Sequence, residues 1–201
     1  MIRSPSGNRQ KPATVLDPID LLAAGAVRAA PRLLGWRLSF GDFSGVIAET
    51  EAYASERDLA CHASKGITAR TRTLYAAPGT LYVYLCYGMH WMLNLVCRKE
   101  GRPAAVLIRG LLIDGIEARR SNGPGKITGL LGIDRRHDGL RLGASDCPLR
   151  LAPPRNGSPR RRRGERVGVD YAGPYWAHRP WRWWISGFPA VGTRSIPGQQ
   201  T

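Results

Sequence analysis

Five runs of β-forming residues between residues 36 and 113 constrain the fold of this chain more than any other feature. Gly41-Asp42 separates the first two runs and is typical of a hairpin turn. The runs cover residues 36–40, 45–53, 80–87, 92–97 and 104–113. Residues 54–79 are polar and Gly-rich, so we interpret them as an excursion from the sheet and not as a core element.

Helices are predicted on either side of these strands. Asp17 followed by Pro18 indicates a helix start, because Asp caps free N–H groups and Pro fits the first turn. The predicted helices cover residues 18–30, 114–120 and 126–132, and further strands are predicted at residues 166–171 and 181–186. This order predicts an α+β fold, a single mixed domain with a curved antiparallel β-sheet flanked by helices.

The length of 201 residues suits one domain. We predict a flexible tail over residues 1–12 and a single domain over residues 13–201. Pro-, Gly- and Ser-rich residues lead into four consecutive arginines at residues 160–163, so we predict a basic surface loop near residues 153–165.

The net charge of the chain points to a polyanionic partner. Thirty Lys and Arg residues against 15 Asp and Glu residues leave a net charge of +15. Nucleic acid, anionic lipid and acidic protein would all be attracted, and nucleic acid is the interpretation that we favour. The arginine run could add salt-sensitive attraction to phosphates but cannot specify a substrate.

Several other classes of protein are disfavoured. The N-terminus lacks the apolar stretch of a secretory signal, and no run approaches 18 apolar residues, so we expect no membrane association. The four cysteines include no CxxC pair, which argues against a zinc site. We expect a cytoplasmic, nucleoid-associated protein.

Glu51 is the first candidate for chemistry. Alternation along a strand places Ile47, Glu49, Glu51 and Tyr53 on one face. Two carboxylates two residues apart repel each other, which would raise one pKa and favour a general base. A solvated carboxylate on an edge strand is the alternative.

Three tyrosines lie within six residues at the end of one predicted strand. Tyr82 and Tyr84 share a face, and Tyr87 falls at the turn beside Gly88. Ordinary β-packing would explain them, because tyrosine is a good strand former. A platform that stacks bases, with a wedge into a duplex, is the functional alternative.

Three further polar residues have unusual surroundings. His62 lies among small residues that would let a ligand approach, although a lone histidine is more often structural. Asn94 and Arg109 each interrupt an apolar strand. A buried Asn needs partners, in the backbone or in a base, and a buried Arg needs a carboxylate or a phosphate.

Taken together, several motifs in order resemble the alkyladenine (3-methyladenine) DNA glycosylase family over roughly residues 14–192. The motifs are Glu49-Thr50-Glu51-Ala52-Tyr53, Asp58-Leu59-Ala60-Cys61-His62, Thr68-Ala69-Arg70-Thr71-Arg72, Pro78-Gly79-Thr80-Leu81-Tyr82-Val83-Tyr84, Tyr87-Gly88-Met89, Asn94, Arg109, Gly123-Pro124-Gly125-Lys126, Val167-Gly168-Val169 and residues 180–187. The resemblance implies a single α+β domain with neither a metal nor another cofactor.

The resemblance also implies roles for individual residues. Glu51 matches the glutamate that activates water, and Arg109 matches a catalytic contact near that water. The residues matching those that hold or screen the flipped base are Tyr53, His62, Tyr84 and Asn94. The residues matching the insertion into the duplex are Tyr87 and Met89, and the candidates for contacts with the DNA backbone are Arg70, Arg72 and Lys126.

The implied activity is excision of alkylated or deaminated purines from double-stranded DNA by a monomer without strand cleavage. A nonenzymatic nucleic-acid-binding protein is the main alternative. A helix-hairpin-helix glycosylase is a second alternative, but Gly123-Pro124-Gly125 lacks that arrangement. A nucleoside hydrolase is a third alternative, which the positive charge disfavours.

Overall fold

The computed structural model describes residues 16–155 and 157–192, so the predicted tail over residues 1–12 lies outside them. The α-helices are α1 (Pro18–Ala23), α2 (Ala26–Leu33), α3 (Pro124–Leu131) and α4 (Pro174–Ala177). The strands are β1 (Arg37–Phe40), β2 (Phe43–Tyr53), β3 (Leu81–Cys86), β4 (His90–Val96), β5 (Ala105–Ile113), β6 (Leu149–Ala152), β7 (Arg161–Gly164) and β8 (Arg182–Ile185). The predicted α+β domain is confirmed.

The N-terminal helix begins as predicted but is shorter. The Asp17 side chain accepts a hydrogen bond of 2.6 Å from the backbone N–H of Ile19, and Pro18 opens α1. The single helix predicted over residues 18–30 is wrong, because Gly25 adopts φ 97° and separates α1 from α2. Only glycine adopts such a positive φ at low cost, so the helix axis can restart there.

The eight strands form one antiparallel sheet, and the predicted hairpins are present. The order is β3-β4-β5-β2-β1-β6, while β8 pairs with both β2 and β7. The strand β2 lies at the centre because its first half pairs with β1 and its second half with β8. Its other edge pairs with β5 along nearly its whole length.

A register shift in β2 changes which residues share a face. The pairing with β5 is irregular between Ile47 and Glu49 and again between Glu49 and Thr50. Ile47 therefore packs in the main core with Ala52, and the prediction that Ile47 shares a face with Glu51 is wrong. One extra residue in a strand reverses the alternation beyond it.

The main hydrophobic core lies between the sheet and the helices α1, α2 and α3. Trp36 and the apolar faces of α1 and α2 are buried in it. A buried hydrogen bond of 2.8 Å from the Thr50 hydroxyl to the Ala30 carbonyl joins β2 to α2. This packing leaves the opposite face of β2, with its two glutamates, free to build a site.

The segment of residues 54–79 is more than a surface excursion. It contains two short 3₁₀ helices, His62–Lys65 and Arg72–Tyr75. Its Cys61 and Leu74 side chains are buried in a second small core against Tyr82 of β3. The prediction that this segment contributes no core element is therefore wrong, and the segment supplies one wall of the site.

Three predictions for the C-terminal half need correction. Only Ala118–Arg120 of the predicted helix at residues 114–120 is helical, as one 3₁₀ turn. The predicted strand at residues 166–171 is wrong, because residues 166–169 form a loop that leads into the 3₁₀ turn Asp170–Ala172. Part of the predicted basic loop is the strand β7, because its residues pair with those of β8.

Among residues 16–155 and 157–192, no helix has the length and apolar character needed to cross a bilayer.

Candidate active site

A cavity of about 610 Å³ opens between the sheet and the segment of residues 54–79. Seven of the residues for which the resemblance implies a role line it, and they come from distant parts of the chain. They are Tyr53, His62, Arg70, Tyr84, Tyr87, Asn94 and Arg109. The lining does not include Glu51, Met89, Arg72 or Lys126.

Glu51 lies directly behind the cavity wall and has no exposed surface. Its Oε1 atom accepts hydrogen bonds from the Tyr53 hydroxyl at 3.0 Å and from the Val167 backbone N–H at 3.3 Å. The Arg109 Nε atom lies 2.9 Å from Oε2. Tyr53, Val167 and Arg109 all line the cavity. The alternative of a solvated carboxylate on an edge strand is wrong, because β2 lies at the centre of the sheet.

Glu51 Oε2 is a buried atom that accepts no hydrogen bond from the part of the chain that the structure describes. Arg109 balances its charge but points its Nε–H at Glu49 Oε1, 3.1 Å away. A buried acceptor without a donor is costly, so each such atom needs an explanation, and a catalytic role is one of them. The arrangement leaves one carboxylate oxygen able to accept a proton.

Burial shifts the ionisation of the neighbouring groups. Desolvation raises the pKa of Glu49, against the lowering effect of Arg109 and Arg182. Desolvation and the charge of Glu51 raise the pKa of Tyr53, so its hydroxyl stays protonated and donates to Glu51. The expected repulsion from Glu51 therefore affects the pKa of Glu49 less than burial and the charges of the two arginines do.

Aromatic rings form the wall of the cavity. The ring centroids of His62 and Tyr84 lie 4.6 Å apart with an interplanar angle of 67°. Tyr82 packs against Tyr84 at 5.1 Å and its hydroxyl lies 2.9 Å from His62 Nδ1. The tyrosines of β3 therefore serve both in β-packing and in a wall of rings.

His62 is neutral at physiological pH. Desolvation, together with the nearby charges of Arg70 and Lys65, lowers the pKa of His62 to about 4. A neutral imidazole presents a polarisable face without a positive charge. A cationic ligand could therefore approach this side of the cavity without repulsion from His62.

The turn between β3 and β4 carries two protruding apolar residues. Tyr87 is 83% exposed and Met89 is 71% exposed, with Gly88 between them. Tyr87 adopts φ 51°, an uncommon conformation for a residue with a side chain. The prediction that Tyr87 lies at a turn is confirmed, and the structure adds that its side chain borders the mouth of the cavity.

Asn94 finds its partners in the backbone. Its Nδ2 atom donates to the carbonyls of Tyr82 at 3.1 Å and Met92 at 3.3 Å. The amide group is thereby fixed in a buried position that borders the cavity. Backbone carbonyls, one of the two kinds of partner that the sequence left open, are therefore bound by this side chain.

The three predicted backbone-contact residues lie in different environments. Arg70 borders the cavity with its guanidinium 5.1 Å from the Tyr84 ring centroid. Arg72 is exposed on the outer side of a 3₁₀ turn. Lys126 is exposed at the start of α3 and donates to the Asn122 side chain at 2.8 Å and the Arg119 carbonyl at 2.9 Å.

Sequence reasoning missed a buried ion pair beneath the site. Arg166 donates two hydrogen bonds to Asp58, at 2.6 and 2.9 Å, and both side chains are fully buried. The Arg166 guanidinium also lies 5.1 Å from the Tyr53 ring centroid. No local pattern marks Arg166 as buried, because it follows a run of exposed arginines.

Tyr171 is a second missed residue. It is exposed, borders the cavity, and its hydroxyl donates to the Ala60 carbonyl at 3.0 Å. The sequence predicts a strand that ends at Tyr171, and this prediction did not indicate a position at the mouth of the cavity. Within the described residues, no three His, Cys, Asp or Glu side chains are grouped closely enough to hold a metal ion.

Comparison with known proteins gives one consistent result. The family model described as "Methylpurine-DNA glycosylase (MPG)" matches residues 20–189. A protein of Myxococcus xanthus named "Putative 3-methyladenine DNA glycosylase" is 43% identical over 91% of this chain and 96% of its own length. A protein of the same name from Methanocella arvoryzae is 42% identical over 89% of this chain and 90% of its own length.

A basic α+β domain with an aromatic cavity backed by a buried carboxylate fits an enzyme that acts on single bases of nucleic acid. The chain belongs to the methylpurine-DNA glycosylase family. It is therefore a DNA glycosylase, a hydrolase whose substrate is DNA. This membership favours an enzyme over the alternative of a nonenzymatic binder.

Proposed function

We propose that this enzyme flips alkylated or deaminated purines out of duplex DNA and hydrolyses the N-glycosidic bond with water activated by Glu51. One observation carries the proposal: a cavity walled by Tyr53, His62 and Tyr84 has the Glu51 carboxylate immediately behind it. A purine within the duplex hides its glycosidic bond, so an extruded base must enter such a cavity before it can react. We propose that the enzyme acts as a monomer.

The chemistry of a methylated purine suits the cavity wall. Alkylation at N3 or N7 makes the base cationic, and a cation is attracted to the faces of aromatic rings. Neutral His62 adds no opposing charge at physiological pH. A cationic base is also a good leaving group, so recognition and reactivity would depend on the same positive charge.

Glu51 Oε2 is the atom that we propose accepts the proton of the attacking water. Departure of the base develops oxocarbenium character on the sugar, which a nearby carboxylate stabilises. Oε1 is held by Tyr53 and Val167, whereas Oε2 accepts no hydrogen bond from the described residues. The free oxygen can therefore act as the general base without breaking an existing hydrogen bond.

The reaction should release free base and leave an uncleaved abasic strand. A lyase needs an amine nucleophile activated by desolvation, and the cavity-lining Lys65 is exposed. With methylated duplex DNA we expect release of 3-methyladenine and strand breaks only after alkali treatment. Borohydride added during the reaction should give no covalent protein–DNA adduct. Absence of base release would defeat the proposed activity, and an adduct would defeat the monofunctional assignment.

Tyr87 is the proposed wedge that fills the space of the extruded nucleotide. Replacement of Tyr87 by Ala should slow excision from duplex DNA about tenfold or more, because unstacking costs a few kcal/mol that the wedge offsets. A 2-aminopurine placed beside the lesion reports extrusion by its fluorescence. Tyr175→Ala is the matched control, since Tyr175 is 65% exposed but does not line the cavity. Equal rates for the two variants would argue against the wedge.

A further inference from the structure

Four buried charged residues form an alternating chain behind the cavity. Glu49 and Glu51 lie on β2, Arg109 on β5 and Arg182 on β8. All four are less than one-tenth exposed. Adjacent members have opposite charges, in the order Glu51, Arg109, Glu49, Arg182. Glu51 is the proposed general base and the resemblance implies a catalytic contact for Arg109, whereas Glu49 and Arg182 need an explanation.

The N–H group at Arg109 Nε has two carboxylate oxygens within hydrogen-bonding distance, one from each glutamate. Nε lies 2.9 Å from Glu51 Oε2 and 3.1 Å from Glu49 Oε1, yet only the contact with Glu49 has hydrogen-bond geometry. The closer contact with Glu51 is an ion pair without a directed hydrogen bond. Glu49 thus accepts the hydrogen bond from Arg109 that Glu51 would otherwise accept.

Arg182 holds Glu49 from the other side. Its Nη1 atom donates to Glu49 Oε1 at 3.4 Å and to the Val191 carbonyl at 2.9 Å. Its guanidinium stacks on Trp184 with 4.9 Å to the ring centroid. These contacts fix Arg182, and through it they fix Glu49 Oε1 at the point where it meets Arg109.

We propose that Glu49, anchored by Arg182, is a positioning residue that diverts the Arg109 Nε–H from Glu51 and so keeps Glu51 Oε2 free to take a proton. This inference rests on the proposed role of Glu51 as the general base. A carboxylate that accepts a directed, charge-assisted hydrogen bond is stabilised in its ionised form. Removal of Glu49 would let Arg109 donate to Glu51 and make Glu51 a weaker base.

The charged and titratable groups that face Glu51 come from every element packed around it. They are Glu49 and Tyr53 on β2, Tyr84 on β3, Arg109 on β5, Arg182 on β8, and Arg166 in the segment after β7. Glu49 and Glu51 are the only carboxylates in this set. A change in the acid limb of the activity profile would therefore report on these two residues.

Two substitutions of Glu49 separate its charge from its hydrogen bond. Glu49→Gln keeps an oxygen that can accept from Arg109, whereas Glu49→Met has a similar length and no such acceptor. We expect single-turnover excision to fall about 10- to 100-fold in Glu49→Met and less in Glu49→Gln, as for loss of a charge-assisted hydrogen bond. The acid limb of the rate profile should move to lower pH by about one unit in Glu49→Met. The Kd for methylated duplex DNA should stay within about threefold of wild type.

A purely structural role would give a different pattern. Thr50→Val is the matched control, because it removes a buried hydrogen bond on the opposite face of the same strand. The control should lose stability while its acid limb stays in place. Equal rate losses in the two Glu49 variants, with acid limbs unmoved from wild type, would overturn the positioning role.

A doubly neutral variant tests whether charge alone matters. Glu49→Met combined with Arg182→Met removes one positive and one negative charge together. If the acid limb of this double variant returns to its wild-type position, net charge alone explains the shift in Glu49→Met, and the proposal is overturned. If the acid limb stays at the lower pH, the result supports the proposal. Glu51→Gln is measured beside these variants. If Glu51→Gln keeps its activity, the proposed general base is wrong, and that outcome is distinct from failure of Glu49 alone.

Discussion

Glu51→Gln should reduce base excision by about 10³-fold while leaving the affinity for methylated DNA nearly unchanged, within the range expected for loss of a general base. The amide has the shape of the carboxylate but can neither accept a proton from water nor balance positive charge on the sugar. The amide oxygen can still accept the hydrogen bond from the Tyr53 hydroxyl, so the aromatic walls should keep their positions and binding of the damaged base should survive. Single-turnover rates and equilibrium binding on the same duplex measure the two effects separately.

Tyr53→Phe provides the control for Glu51→Gln. It removes the hydroxyl that donates to Glu51 Oε1 but keeps the ring in the cavity wall. Loss of one such hydrogen bond should slow excision only about 2- to 10-fold. If Glu51→Gln were no slower than Tyr53→Phe, Glu51 would be a structural residue and another group would activate the water.

The sheet was largely predictable because its signals are local. Runs of β-forming residues and the Gly41-Asp42 turn predicted β1 to β5 with boundaries close to those in the structure. The bulge in β2 was not predictable, since it depends on how β5 pairs along that strand. The break between α1 and α2 depends on the single positive φ at Gly25, within an alanine-rich stretch that otherwise favours a continuous helix.

The candidate site was predictable only in part. The resemblance identified seven residues that the fold brings to one cavity, from Tyr53 to Arg109. It did not indicate that the Glu51 side chain has no exposed surface, or that Arg109 Nε contacts both Glu49 and Glu51. The partners of Arg166 lie more than 100 positions away in sequence, so no local pattern could pair it with Asp58.

Arg166→Met should destabilise the domain by about 3–5 kcal/mol, because removing one partner of a buried ion pair leaves the other charge uncompensated. Within the part of the chain that the structure describes, Asp58 would keep only hydrogen bonds from the backbone N–H groups of Ala54 and Ala60, at 3.1 Å each. For a domain of this size the loss corresponds to a fall in Tm of roughly 10 °C. Urea denaturation and thermal unfolding at neutral pH measure the change.

Two comparisons test the reason for that loss. Asp58→Asn combined with Arg166→Met removes both charges and should recover part of the stability, since a neutral buried pair leaves no bare charge. Arg136→Met breaks an exposed pair with Asp134 and should change the Tm little, because solvent already screens that pair. Equal loss in the single and double variants would assign the effect to packing of Arg166 against Tyr53.

Arg166→Met should also slow excision, because Val167 follows Arg166 directly and the Val167 N–H donates a hydrogen bond to Glu51 Oε1. Unchanged excision at a temperature where the variant is folded would show that the ion pair supports the fold and not the active site.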